Sequence, residues 1–282
     1  MYTRGNADPP EKRREGDRVK TVAIASQKGG VGKTTLALNT SLALARRGWR
    51  TLVVDADPQG AISLSLKKEL KVAEGLTEYA QGLRPLAELV LPTRLAELSF
   101  LPVGGIKAHR PSAVEIGEPV FGNLIDETSA EFDVLILDTA SGLAGRTLRA
   151  LRTVDYALVP MQAEPLSVRT LDGMLQTIAE IGDETGLQLA GVVLTMVQSR
   201  DEISLETVQE VWSLLPSEMV LEGFVPRDPA FLRASAHGVP VSLLSRRRPP
   251  SVASVFDAIA AELEVRIGLV SEGEDDIFHL LD

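Results

Sequence analysis

The sequence of 282 residues predicts an α/β fold, a doubly wound and mostly parallel sheet flanked by helices. Short apolar runs alternate with segments of helical length between residues 21 and 267, which is the order typical of this class. Several runs, such as VLIL at 134–137 and GVVL at 191–194, contain almost no polar residue. Such strands are expected to be buried on both faces, as in a parallel sheet.

The elements follow from their apolar periodicity and from the turn residues between them. The predicted strands are Thr21–Ser26, Thr51–Asp55, Leu98–Val103, Phe132–Asp138, Tyr156–Pro160, Leu189–Met196 and Val220–Val225. The predicted helices include Lys33–Arg47, Ala144–Thr153, Val168–Thr185, Ser204–Leu214 and Ser251–Ile267.

The two ends of the chain differ from the rest in composition. Residues 1–20 carry six basic and four acidic side chains around Pro9-Pro10 and have too little apolar surface to offset the entropy of ordering. Residues 271–282 contain five acids and no base, so half of the net charge of −10 lies in that segment. We therefore predict a flexible basic arm (1–20), one globular domain (21–268) and an acidic tail (269–282).

Composition excludes several classes of protein. The absence of cysteine rules out disulfides, thiolate zinc sites, iron–sulfur clusters and a cysteine nucleophile. The longest nearly apolar stretch, Leu189–Val197, is too short to span a bilayer, and no secretory signal follows Met1. We expect a cytoplasmic protein that does not bind membranes.

The strongest motif is KGGVGKTT, which lies directly between the first strand and the first helix, as a phosphate-binding P-loop must. Its glycines let backbone N–H groups surround phosphate oxygens, and the following helix directs its positive end at the same anion. Lys33 is placed to reach the β- and γ-phosphates, and the Thr34 hydroxyl suits Mg²⁺. A glycine turn with incidental lysines is the alternative. The predicted nucleotide-binding residues are Lys28, Gly29, Gly30, Val31, Gly32, Lys33, Thr34 and Thr35.

This motif resembles the deviant Walker A box of the ParA/MinD family, KGGxGK[ST]. The resemblance implies a P-loop ATPase that uses ATP and Mg²⁺ and forms a nucleotide-sandwiched homodimer. In that family the first lysine, here Lys28, reaches the partner's ATP, where a cation offsets charge that develops during phosphoryl transfer. The alternative for Lys28 is a solvated lysine in a turn.

Two carboxylates follow the second strand in the sequence DADPQG. Asp55 and Asp57, two residues apart in extended chain, point the same way into the crevice where α/β folds bind ligands. The family's DxDPQG box implies that Asp57 orients the attacking water and that Asp55 supports the metal site. The alternative for Asp57 is an N-cap with Pro58 at the first helical position.

A second acidic strand end, FDVLILD, resembles a Walker B strand, which implies that Asp138 holds Mg²⁺ through a water. The family usually continues D-x-P-P-S-x-G, whereas here Asp138 is followed by TASG. Without those two prolines we expect a looser loop.

The resemblance extends over nearly all of residues 20–267 and implies positions for the base and for DNA. Leu194–Met196 matches an LTM segment, and Pro226-Arg227-Asp228 matches a PRN corner that packs on adenine, with Asp in place of Asn. Met196, Pro226 and Asp228 are therefore the predicted base-site residues. The predicted DNA-binding arginines are Arg200, Arg233, Arg246, Arg247 and Arg248, although Ala230 stands where the family has one and a solvated charge cluster is the usual explanation.

The resemblance favours a ParA/Soj-like ATPase at the nucleoid. Its ATP-bound homodimer would bind double-stranded DNA without sequence preference and segregate chromosome or plasmid DNA, and a ParB-like partner would stimulate hydrolysis. A ParA-like ATPase for a non-DNA cargo is an alternative. A MinD-like division regulator is another, but the acidic tail opposes binding to anionic lipid. An ATP-dependent synthase is a further alternative, which fits the DxDPQG and PRN-like blocks poorly.

Overall fold

The computed structural model describes residues 18–65, 73–105, 114–245 and 247–270. Its strands are β1 (Lys20–Ser26), β2 (Thr51–Asp55), β3 (Leu91–Pro92), β4 (Leu98–Leu101), β5 (Val134–Ser141), β6 (Tyr156–Gln162), β7 (Gln188–Val197) and β8 (Val225–Pro226). Its α-helices are α1 (Lys33–Arg46), α2 (Ala61–Ser65), α3 (Leu76–Ala80), α4 (Leu86–Leu89), α5 (Glu118–Thr128), α6 (Arg146–Leu151), α7 (Pro165–Thr185), α8 (Glu202–Leu214), α9 (Pro229–His237) and α10 (Ser254–Arg266).

The strands form one sheet in the order β3-β4-β2-β5-β1-β6-β7-β8. All neighbours are parallel except β3, which runs antiparallel to β4 at one edge. The strand order reverses around β1, which places the crevice between the carboxyl ends of the central strands. The predicted fold class is confirmed.

The core consists of two apolar layers, one on each face of the sheet. On β1, Val22 and Ile24 pack in the layer that contains α1, α9 and α10, whereas Ala23 and Ala25 pack in the layer that contains α5 to α8. This alternation follows from the period of two in a strand. Burial on both faces explains why the central strands are apolar throughout.

The predicted strand Val220–Val225 is wrong for most of its length. Val220 makes only an isolated parallel bridge to Val192, and the regular strand is β8, at Val225–Pro226. Between them the chain passes over α10, where a Cβ on Gly223 would lie 2.8 Å from a side-chain carbon of Ile259. The close approach to α10 therefore interrupts the pairing along β7.

Strand β5 continues beyond Asp138, contrary to the expected loose loop. Ser141 pairs with Ser26 of β1, and the N–H of Gly142 donates to the Ser26 carbonyl at 2.9 Å. Proline has no N–H to donate and does not fit a central strand. The segment in which the family has its two prolines thus belongs to the sheet in this chain.

The folded domain is slightly longer than predicted at both ends. Val19 is fully buried and Lys20 begins β1, although both were assigned to the arm. Leu269, assigned to the tail, donates its N–H to the Glu264 carbonyl at 2.9 Å and packs on the core. Residues 1–17 and 271–282 lie outside the described residues.

A buried amide connects α1 with a distant segment. Nδ2 of Asn39 donates to the Thr35 carbonyl at 2.8 Å, and its Oδ1 accepts from the Val241 N–H at 2.9 Å. The side chain therefore joins the helix behind the glycine-rich loop to the segment that leads to Arg247. In the described ranges no helix is both long and apolar enough to cross a membrane.

Candidate functional site

The glycine-rich loop joins the carboxyl end of β1 to the amino end of α1. Gly30 and Gly32 have φ of 78° and 93°, the left-handed region that glycine adopts at no steric cost. A Cβ at either position would meet nothing within 4 Å, so open space lies over the loop. With the amino end of α1 facing the same space, the loop has the shape and the polarity of an anion cradle.

Lys33 lies at the floor of this cradle and is only 7% exposed. Its Nζ donates to Ser141 Oγ at 2.8 Å and to Ser26 Oγ at 3.3 Å. Burial lowers the pKa of the Lys33 ammonium from its usual value, while Asp138 and Asp57 oppose that shift. Sequence reasoning missed Ser141; the only signal was its place in the segment where the family has prolines.

Asp138 is fully buried and faces the first turn of α1. Its Oδ2 accepts from the Thr34 hydroxyl at 2.7 Å, and its Oδ1 has no partner among the described residues. Burial, with smaller contributions from the nearby Asp55 and Asp57, raises the pKa of Asp138 from 3.8 to about 8. An uncompensated buried carboxyl beside a hydroxyl is a site that a hard divalent cation would stabilise.

Asp55 lies directly opposite Asp138, because the two residues are register partners on neighbouring strands. Its Oδ2 accepts from the Ser63 N–H at 3.1 Å and the Ser63 hydroxyl at 3.2 Å. Burial raises the pKa of Asp55 to about 7 despite these hydrogen bonds. Two buried carboxyl groups on adjacent strands repel each other when ionised, so they concentrate negative potential at one edge of the cradle.

Asp57 is half-buried at the start of the loop that follows β2. Its Oδ1 accepts from the Gln59 N–H at 2.8 Å, and α2 begins only at Ala61. The N-cap interpretation of Asp57 is therefore wrong, because the side chain closes a local turn rather than a helix. One of its two oxygens remains available for a further contact.

Lys28 stands at the mouth of the cradle, with 34% of its side chain exposed. Its ammonium forms an ion pair with Glu164, the residue before α7. The loop thus presents two lysines in different surroundings, Lys33 at the floor and Lys28 at the rim. Sequence reasoning missed the role of Glu164, which lies two residues after the end of β6.

A mostly apolar cavity of about 300 Å³ adjoins the loop and brings the predicted base-site residues together. Met196 forms part of its wall in a left-handed conformation, with φ of 54°, which is uncommon for a residue with a side chain. Asp228 also caps α9, since its Oδ1 accepts from the Ala230 N–H at 2.7 Å. The cavity is lined by Val31, Gly32, Thr35, Leu36, Thr195, Met196, Val225, Pro226, Arg227, Asp228, Pro229, Phe231 and Leu232.

The predicted DNA-binding arginines that the structure describes are exposed and lie on different segments of the chain. Arg200 is exposed in the turn between β7 and α8, and Arg233 is exposed on α9. Arg247 and Arg248 are exposed ahead of α10, whereas Arg246 lies outside the described residues. Ala230, where the family has an arginine, is buried in the first turn of α9.

Comparison with known proteins identifies the family. A family model described as an AAA domain matches residues 19–191. The chromosome partitioning protein ParA of Myxococcus xanthus is 33% identical over 230 residues, which are 79% of this chain and 81% of that protein. The chain belongs to the ParA/Soj family of P-loop ATPases. The chromosome-partitioning ATPase Soj of Treponema pallidum, 29% identical, covers 88% of this chain and is itself covered to 98%.

Solved structures share the fold of this chain. A cobyrinic acid a,c-diamide synthase from Mycobacterium smegmatis, bound to an ATP analogue and magnesium, superposes with a TM-score of 0.71 at 27% identity and covers 86% of this chain and 93% of its own. The septum site-determining protein MinD from Pyrococcus horikoshii, complexed with Mg-ADP, has a TM-score of 0.72 at 22% identity, covering 90% and 100%. At 22% identity, the similarity to MinD supports the fold alone.

The site of this ParA/Soj-family chain fits a nucleotide and Mg²⁺. The open cradle accepts phosphates on backbone N–H groups, and the unpartnered Asp138 Oδ1 and the Thr34 hydroxyl are the hard oxygen donors that Mg²⁺ prefers. When bound, the metal neutralises phosphate charge. Lys33 is already aimed into the same space from the floor.

Proposed function

We propose that the chain is a Mg²⁺-dependent ATPase that forms an ATP-sandwiched homodimer and binds double-stranded DNA without sequence preference. The observation that carries this proposal is the separation of the two lysines in one loop. Lys33 is buried against the phosphate cradle, whereas Lys28 lies at the rim with an ion-pair partner that a second protomer's nucleotide would replace. A lysine in that place supplies a cation in trans to charge that develops on the γ-phosphate.

Hydrolysis would depend on the two strand ends next to the cradle. Lys33 and the second protomer's Lys28 would act on the phosphates. Asp57 would orient the attacking water from the loop after β2. Asp138, with Thr34, holds the metal, and Asp55 adds negative potential beside it. The apolar cavity next to the loop accepts the base, where the free oxygen of Asp228 is suited to the adenine amino group.

DNA would be held through phosphate contacts by the exposed arginines Arg200, Arg233, Arg247 and Arg248. Such contacts need only cations, so retention should fall steeply as salt rises. A ParB-like partner would stimulate hydrolysis and release the DNA, and the protein would act at the nucleoid. A ParA-like ATPase for a non-DNA cargo, or a MinD-like division regulator, would form the same dimer. That dimer would bind the cargo or a membrane in place of DNA.

The test measures DNA retention and dimer formation with and without ATP. We expect wild type to bind DNA only with ATP, Lys28→Ala to lose dimerisation, and Asp57→Ala to dimerise and bind DNA without turnover. Arg200→Glu should dimerise and hydrolyse ATP but lose DNA. Arg94→Glu, which changes an exposed arginine after β3 at the opposite edge of the sheet, is the matched control and should behave as wild type.

Retention without ATP, or none at low salt in any nucleotide state, would contradict the proposal. Flotation with anionic vesicles under the same conditions separates the MinD-like alternative. ATP-dependent dimers that bind neither DNA nor vesicles would favour a different cargo.

A further inference from the structure

Arg146 is a buried cation that the predicted mechanism does not use. It is the first residue of α6, which begins shortly after β5 and the Asp138 position. It is 8% exposed, although arginine is rarely buried without a specific partner. The Thr147 hydroxyl donates to the Ala140 carbonyl at 3.2 Å, which holds the start of α6 against the end of β5.

The Arg146 guanidinium uses only part of its hydrogen-bonding capacity. Its Nη2 donates to the Val114 carbonyl at 2.9 Å, while its Nη1 is shielded from water and has no partner among the described residues. A buried charged donor without an acceptor is costly, so it is retained where a partner arrives in another state of the protein.

The position of Arg146 identifies that partner: the start of α6 lies against the end of β5, and the neighbouring strand end leads to Asp57, since the Ala56 N–H donates to the Asp138 carbonyl at 2.9 Å. Burial lowers the pKa of Arg146, and the largest opposing effects come from Asp57 and then Asp55. Lys33 interacts in the same way with Asp138 and then Asp57. Asp57 is therefore the carboxylate that both buried cations share, and one of its oxygens is free of the local turn.

We propose that Arg146 positions Asp57 for hydrolysis, with its free Nη1 donating to the Asp57 carboxylate when the loop after β2 closes on the nucleotide. The inference rests on the proposed function, in which Asp57 orients the water. Arg146 is a positioning residue, because it acts through Asp57 and not on the phosphates. A guanidinium can donate two parallel hydrogen bonds to one carboxylate, so it fixes the orientation of the carboxylate as well as its distance. The ammonium of a lysine fixes only the distance.

The first experiment is a double-mutant cycle on stability in the nucleotide-bound protein, with a saturating non-hydrolysable ATP analogue and Mg²⁺. It uses Arg146→Met, Asp57→Ala and the double variant, unfolded in urea, with Arg149→Met and its double variant as matched controls. Arg149 lies on the same helix but pairs with Glu115. We expect Arg146 and Asp57 to be coupled by about fivefold or more in the folding equilibrium, and Arg149 and Asp57 to be uncoupled.

The second experiment repeats the cycle on single-turnover ATP hydrolysis, with nucleotide affinity measured separately. Arg146→Met should slow hydrolysis about tenfold or more with little change in affinity, and Arg146→Lys should recover part of the rate. In the Asp57→Ala background, Arg146→Met should have no further effect. Arg146→Lys also serves in the stability cycle if the methionine variant does not fold.

These outcomes separate the two proposals. Absence of coupling in the stability cycle, or rate effects that multiply independently in the double variant, would overturn the positioning role; the latter would indicate direct contact with phosphate. If wild type hydrolyses no ATP, the proposed function fails, and the stability cycle still tests the link between Arg146 and Asp57.

Discussion

Asp138→Asn should abolish much of the pH dependence of stability of the nucleotide-free protein. The pKa of Asp138 is raised from 3.8 to about 8 in the folded chain, mainly by burial. Between those values the folded state holds a proton that the unfolded state has released. A rising pH therefore favours unfolding, and the effect levels off above about pH 8.

The magnitude follows from the proton held by Asp138. Integrated from pH 6 to pH 8, a carboxyl with a pKa of about 8 costs the wild type about 2 kcal/mol of unfolding free energy. Asparagine has nearly the same shape, keeps an oxygen for the Thr34 hydroxyl and does not titrate in this range. The free energy of unfolding of wild type should thus fall by about 2 kcal/mol more than that of the variant over this interval.

Urea unfolding at pH 6, 7 and 8 measures this difference, with unchanged m-values as the check that both proteins unfold in the same way. Adding Mg-ADP supplies an independent contrast, because the metal requires the ionised carboxylate and its stabilising effect should increase with pH. Parallel pH curves for wild type and Asp138→Asn would mean that Asp138 is ionised throughout, and would refute the reasoning.

Three further predictions concern other contacts. Glu164→Gln releases Lys28 from a partly exposed ion pair worth ~0.2–1 kcal/mol, and with two per dimer it should tighten ATP-dependent dimerisation about 2- to 30-fold by ultracentrifugation; weaker association would contradict it. Glu264→Ala leaves the buried Trp49 indole N–H without its acceptor and should cost ~1–3 kcal/mol in urea unfolding, whereas an unchanged free energy of unfolding would not fit. Gly75→Ala should cost ~2 kcal/mol or more in Tm-based measurements, because its Cβ would lie 1.9 Å from a backbone carbonyl oxygen; an unchanged Tm would show that the loop yields.

The central strands and the acidic strand ends were predictable from the sequence. Runs that are apolar throughout occur only where both faces are covered, and a strand's carboxyl end in such a sheet opens into the crevice. For that reason Asp55 and Asp138 were placed correctly at β2 and β5. Their direct register, and with it their mutual repulsion, depends on the alignment of two strands far apart in the chain.

The parts that were not predicted depend on contacts between distant segments. The sequence Asp228-Pro229 carries the signal for a helix start, an N-cap followed by proline, and α9 begins there. The prediction for Asp228 concerned only a base-binding corner and not this helix. Ser141 and Arg146 have no local signal, because their significance comes from Lys33 and Val114 across the fold. Short helices such as α3 and α4 are too brief for a clear period.

Asn39 links the amino-terminal end of α1, next to the glycine-rich loop, to the segment before Arg247. Both functional groups of this amide are engaged, one with the loop residue Thr35 and one with the backbone at Val241. A displacement of α1 by even a fraction of a hydrogen-bond length must either carry the segment before Arg247 along or leave buried polar groups unpaired. Asn39 therefore couples the position of α1 to that of the segment before Arg247.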